Sequence, residues 1–395
     1  MGKPCAPDGH TLLPDHHRSS IASRPCPSRG GRALQYPDPM SRSLLRVILA
    51  VGLWACSHPD AFPSGDPGNG GPFPGPPPQR LTLNTAVDQA PSWYPDGSGL
   101  LYAFEQPERP DRDRCLGLLP PGGGTRQAER CPTGDPGGDS VDVYEWAAAS
   151  TGGRLAWVEQ HGPAGLRTPS YGLIAVGSFD PVAPGRVLRA LPYLAPSGAI
   201  HATATHLGWI GEDTVSYVGA DVVTSRPCLG CKLDTLVIGH DVVTLALTTD
   251  PATLTIVPGT AGATSVWPAG GSIIYTLGGD SRVFRRQLAT GVVDTVYDFG
   301  GLGIARDVGL IGSELTAVVG GRVSFGIDPL VGPVQRDSGG TLYLVDLAAP
   351  NPSPLSPDYQ LLRHAAPVAG RGVVAAEATD TAGPFVPDLY LYQLP

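Results

Sequence analysis

From Arg80 to the last residue the chain repeats one pattern: a short apolar strand, a tight turn, and another apolar strand. Leu100-Leu101-Tyr102, Leu155-Ala156-Trp157-Val158 and Ile273-Ile274-Tyr275 are the apolar strands that follow the turns. Thr341–Leu347 (TLYLVDL) and Asp388–Leu394 (DLYLYQL) alternate instead, as half-buried antiparallel strands do. The turns carry Pro-Asp-Gly at 95–97 and Pro268 with Gly270 in the same relative places, where Pro fixes φ and Gly accepts positive φ.

Strand–turn–strand units recur at 145–159, 205–219, 264–278, 305–320 and 364–378, after a first unit in Arg80–Phe104. Aligning the turns places Pro91, Trp146, His206, Thr264, Arg306 and His364 in one column, spaced by 55, 60, 58, 42 and 58 residues. Each unit is followed by a third strand (171–178, 234–240, 281–288, 341–347, 388–394) and in places a fourth (185–191, 292–299). Six units of four strands predict an all-β fold, a six-bladed β-propeller of four-stranded antiparallel blades. The pattern starts on Arg80–Asn84 (RLTLN), an outer-strand sequence, and stops on a third strand. Pairing the two closes the ring and removes an exposed edge.

Composition agrees. Gly (53) and Pro (43) make close to a quarter of 395 residues, and lysine occurs only at Lys3 and Lys232. Such a chain suits short strands and turns, not a helical bundle.

Four segments are expected. Residues 1–39 are polar and Pro-rich, either a start site placed too early, with Met40 the true start, or a disordered extension. Residues 40–55 have Arg42 and Arg46 before a short apolar run, as signal peptides do. Residues 56–79 begin at Cys56 and form a tether, with 13 Pro or Gly among Ser57–Gln79. Residues 80–395 form the propeller.

Two resemblances follow. Leu53-Trp54-Ala55-Cys56 resembles a bacterial lipobox, with Trp54 in place of the usual small residue. It implies lipidation of Cys56, export and anchoring to a membrane on its periplasmic or cell-surface side; if the source is Gram-negative, Ser57 after the cysteine points to the outer membrane. An ordinary signal peptide with an incidental cysteine is the alternative. Arg80–Phe104 (RLTLNTAVDQAPSWYPDGSGLLYAF) resembles the TolB-like, PD40 class of WD40-related repeats, and TLYLVDL and DLYLYQL resemble its third strand. The later units lack the Asp of the Pro-Asp-Gly turn. The resemblance implies a binding platform for a protein or peptide partner in the cell envelope.

The formal charge of −9 becomes about −13 once the seven basic and three acidic residues before Cys56 are set aside. A surface so acidic speaks against nucleic acid. Cys115 and Cys131 fall in neighbouring strands of the first blade and are expected to pair as a disulfide. Cys228-Leu229-Gly230-Cys231 is a CxxC with neither a βαβ setting nor a second ligand pair, so a loop disulfide is expected, with redox and metal roles as alternatives. Trp146, His206, Arg306, Asp307 and His364 are expected to rim or line the central channel if their column lies on the innermost strands. No nucleophile elbow, HExxH or Walker loop occurs. No catalytic residue, cofactor or metal is therefore expected. A channel-centred, metal-dependent lactonase-like hydrolase stands as the alternative function.

Overall fold

A computed structural model describes residues 78–82, 87–105, 114–131, 140–163, 171–180, 183, 185–191, 203–225, 234–320, 323–328, 332–337, 339–358, 360–380 and 387–395. Residues 1–77, with Cys56, and the Cys228/Cys231 loop lie outside them.

The described strands form six four-stranded antiparallel blades in a ring. The innermost strands are Asp88–Trp93, Ser140–Ala149, Thr203–Ile210, Ala263–Ala269, Ala305–Ile311 and Gln360–Val368, for blades 1 to 6. Each packs beside the next, and the sixth packs on the first. Blade 6 takes its outer strand from the start of the fold: Gln79–Arg80 pairs antiparallel with Asp388–Gln393, with Gln79 opposite Leu391 and Arg80 opposite Tyr390. The expected six-bladed propeller and its mode of closure are both present, though the closing strand is Gln79–Arg80 rather than Arg80–Asn84: it starts one residue early, in the stretch expected as tether, and 83–84 lie outside the described residues.

The second strand of each blade explains the continuous apolar runs. Leu100–Glu105, Ser272–Leu277 and Glu314–Val319 are buried at five of six positions, on both faces. Each is sandwiched between two neighbouring blades, so period-two alternation is lost. The core is accordingly divided into six clusters, one between each pair of adjacent blades. The outer strand of blade 3, Thr253–Ile256, is largely exposed.

Blades 3 and 5 depart from the expected pattern. In blade 3 the second and third strands, Thr214–Ser225 and Asp234–Ala246, run on together beyond the inner strand, which pairs only as far as Ala220. The stretch 234–240, expected as the blade's third strand, mostly belongs to this extension; 241–246 is the part inside the blade. In blade 5 an extra hairpin, Val323–Asp328 with Gly332–Asp337, is inserted between the second and third strands. Both elaborations project from the end of the ring at which the inner strands begin.

The turn at 94–99 is a β-turn. Gly97 N–H donates to Tyr94 O at 2.8 Å, Asp96 accepts from Ser98 N–H at 2.9 Å, and Gly97 has φ +68°. The Cys115–Cys131 disulfide joins the third strand of blade 1 to the residue just after its outer strand, with Cα atoms 4.3 Å apart, as expected.

Candidate functional site

Every inner strand is bulged. Register shifts fall between Gln89 and Ser92, Tyr144 and Trp146, Thr205 and Gly208, Ala263 and Ser265, Ala305 and Val308, and Arg363 and Ala366. A bulge re-aims side chains that the pleat would otherwise alternate. Counted from these registers, two rows of residues ring the axis. The first row holds Ala90, Glu145, His206, Thr264, Arg306 and His364. The second holds Pro91, Trp146, Leu207, Ser265, Asp307 and Ala365. The single column expected from the turns therefore mixes two rows: Pro91 and Trp146 belong to the second.

The rows meet at one place on the axis. Blades 3 and 6 face each other and bring His206 and His364 to a ring separation of 5.8 Å. Blades 2 and 5 also face each other and bring Trp146 and Asp307 to the same level. The Trp146 indole lies 4.6 Å from each imidazole, and Asp307 Oδ1 lies 2.5 Å from His206 Nε2. His206 and His364 have φ of +54° and +53°, the left-handed region; Ala90, in the same row, has +51°. The conformation is thus a property of the bulge shared by three blades, and two of the three use it to present histidine.

Four of the five expected channel residues, Trp146, His206, Asp307 and His364, line one cavity of about 440 Å³; Arg306 is not among its lining residues. Arg306 contributes its backbone carbonyl, which accepts from Ser265 Oγ at 3.3 Å. The cavity runs from the His/Asp cluster to the exposed turns at Pro95, Thr151, Gly211 and Gly312. Its wall is aromatic, with Trp93, Trp209 and Trp267 at one repeat position in blades 1, 3 and 4. Two of these indoles tie adjacent blades together: Trp93 Nε1–H donates to Ala366 O at 2.9 Å, and Trp209 Nε1–H donates to Ala148 O at 3.0 Å.

Polar partners from outside the expected set complete the cluster. Glu377, 1% exposed, accepts from His364 Nδ1 at 2.8 Å and pairs with Arg363. Asp307 Oδ2 accepts from the His364 backbone N–H at 2.8 Å, and His206 Nδ1 meets Thr205 Oγ1 at 3.1 Å. Burial pushes the Asp307 pKa up, but the hydrogen bond and charge of His206 and the charge of His364 outweigh it and hold the carboxyl well below its ordinary value. Burial pushes His364 down, and the Glu377 carboxylate more than reverses this. Burial pushes Glu377 up, and the His364 charge and hydrogen bond bring it down on balance.

Sequence reasoning missed Glu377 and the tryptophan wall, though both left a signal. Glu377 is the lone acid in a run of Val and Ala, and a Trp precedes three of the six turns at one repeat position.

No protein-family model matches the chain, and no curated protein matches it in sequence. Among solved structures it is similar to a luciferin-regenerating enzyme (10% identity, 81% of this chain and 96% of that one, TM-score 0.48). It is similar to a gluconolactonase from Xanthomonas campestris (12% identity, 82% and 98%, TM-score 0.46). It is also similar to a putative TolB from Agrobacterium tumefaciens (13% identity, 80% and 93%, TM-score 0.44), the class that Arg80–Phe104 resembles. The blade count and the closure rest on the strand pairing described above.

Proposed function

We propose that this propeller is a membrane-tethered, extracytoplasmic platform that binds a protein or peptide partner of the cell envelope at the turn end of its channel. The observation that carries the reading is the cavity: a Trp-walled depression of about 440 Å³ that reaches exposed turns from four blades. Aromatic side chains around a concave site are what anchor residues of a partner pack against. The leader pattern at 40–56 supports the tether and the address.

Photo-crosslinking in intact cells tests it. A photoreactive residue replacing Pro95, at the exposed rim, is compared with one replacing Val292, on the outer part of blade 4 and 58% exposed. The reading expects an adduct at position 95 that is missing at 292 and is lost on substituting Tyr94 by Ala. The same adducts from both positions, or none together with chelator-sensitive turnover of a small lactone, would overturn it in favour of the hydrolase alternative.

A further inference from the structure

We propose that His206, Asp307 and His364 form a binding site for a divalent cation of the zinc type, set across the propeller axis. One ring nitrogen of each histidine and one oxygen of Asp307 lie within 4.8 Å of one another. Two imidazoles and a carboxylate are the donor set of three-ligand zinc sites, which leave a fourth position to solvent or ligand. With bonds of about 2.0–2.2 Å, tetrahedral ligand atoms sit roughly 3.3 Å apart, so small side-chain adjustments bring these three into range.

An outer layer of hydrogen bonds surrounds the three side chains. A ligating histidine needs its second nitrogen held, so that the correct tautomer and ring orientation are fixed. His364 has Nδ1 held by the Glu377 carboxylate at 2.8 Å, which leaves Nε2 as the nitrogen for a cation. Glu377 is in turn held by Arg363. His206 has Nδ1 at 3.1 Å from Thr205 Oγ1. Asp307 has Oδ2 occupied by the His364 backbone N–H at 2.8 Å, which leaves Oδ1 facing His206 Nε2. Each of the three thus commits one polar atom to the scaffold and keeps another for the axis.

The hydrogen bonds around His206 can serve a cation as well as a proton. His206 Nε2 faces Asp307 Oδ1 at 2.5 Å, and Nδ1 faces the Thr205 hydroxyl, which can donate or accept. With a cation on Nε2 the proton moves to Nδ1, and the Thr205 hydroxyl rotates to accept it, as a hydroxyl can do either.

Three blades build the site and a fourth reports on it. Trp146, 4.6 Å from both imidazoles, is close enough for a bound paramagnetic ion to quench its fluorescence. The proposal is independent of the partner-binding reading, since the site lies at the inner end of the cavity and asks nothing of its rim.

The test uses the full-length chain with Cys228 and Cys231 replaced by Ser, so that the CxxC contributes no ligand. Zinc chloride is titrated by calorimetry, and cobalt(II) by absorbance and Trp fluorescence. The expected result is one zinc per chain, visible cobalt bands of a tetrahedral site, and fluorescence quenching that disappears with Trp146→Phe. Asp307→Asn and His364→Gln should each weaken zinc by at least about 100-fold, and Thr205→Val by about 10-fold, the range for a lost outer hydrogen bond. Thr205→Val keeps all three ligands and removes only one hydroxyl, so it decides the matter if the ligand variants do not fold. Absence of stoichiometric zinc in the chain lacking Cys228 and Cys231 overturns the site. So does zinc whose affinity is the same in the Asp307→Asn, His364→Gln and Thr205→Val variants.

Discussion

Replacing Leu81 by Ala should open the ring. Leu81 is 3% exposed and packs with Trp93 and Leu100 of blade 1 and with Leu389 and Leu391 of blade 6, the two blades that the closing strand joins. Its backbone N–H donates to Leu389 O at 2.7 Å, directly after the two-residue strand Gln79–Arg80. A buried Leu→Ala change costs about 2–5 kcal/mol, and a site between two blades relaxes poorly, so about 3 kcal/mol is expected. Against the ~5–15 kcal/mol that typically holds a domain together, this is a large fraction. At roughly 2–4 °C per kcal/mol for a domain of this size it lowers Tm by about 6–12 °C. Thr82→Val is the companion change. Thr82 is buried, and its Oγ1 accepts from Leu389 N–H at 3.0 Å, so losing it leaves a buried donor unmet at about 1–3 kcal/mol. Thermal melting and urea titration read both, with Val292→Ala as an exposed control expected within about 0.5 kcal/mol. Once the closing strand is loosened, the edge of Asp388–Gln393 is bared, and an exposed edge pairs with other chains. Melting of Leu81→Ala should therefore also become concentration-dependent. A loss under about 0.5 kcal/mol, with no such dependence, would refute the reasoning that closure holds the ring.

Gly309→Ala should cost about 1–3 kcal/mol by overpacking, because its Cβ would come 2.3 Å from Pro367 Cγ, a rigid ring on the neighbouring blade's inner strand; a melt unchanged from the parent contradicts the tight axis. Breaking the Cys115–Cys131 pair with paired Ser substitutions should cost about 3 kcal/mol for a loop of this length, read as a fall in urea midpoint that reductant reproduces in the parent and not in the variant. Burial lowers the His240 pKa from 6.5. The unfolded chain therefore takes up its proton first, and the stability that neutral His240 supplies is present above pH 6.5 and lost as pH falls through its folded value. His240→Gln should flatten the decline of stability below pH 6.5, and an unchanged decline sets His240 aside.

The fold was legible because a propeller repeats its errors as well as its rules. No single unit names the architecture, but six turns at similar offsets do, and the unmatched strands at the two ends of the pattern imply closure. What stayed hidden were departures confined to one blade. The extension at 221–225 and 234–239 reads locally as one more alternating strand, and only its partners reveal that it leaves the blade. The hairpin at 323–337 was overlooked for a similar reason. Its strands pair with each other and not with the blade, so nothing in the six-fold repeat anticipates them. The continuous burial of the second strands was written in Leu100–Tyr102 and Ile273–Tyr275, yet it takes the ring to show that both faces meet a neighbouring blade.

The axial cluster was half legible, and the missing half is a matter of register. Aligning turns places residues to within one position, and in a strand one position is the difference between two faces. The bulges make that error unusually consequential. In blades 3 and 6 the bulge turns its first residue, a histidine with positive φ, toward the axis. In blades 2 and 5 the second residue reaches the same level, as Trp146 and Asp307. A strict six-fold reading therefore predicts a ring of six equivalent side chains, whereas the structure builds a two-fold arrangement of unlike pairs. His206 and His364 are 158 residues apart in the chain, and Glu377 stands on a second strand rather than an inner one. Spacing alone could not relate His206 to Asp307 or to His364, because what relates them is the diameter of the ring. Counting blades first, and then asking which residues face each other across the axis, would have paired the two histidines from sequence alone. It would not have found Asp307's role, since that depends on which residue of each bulge turns inward.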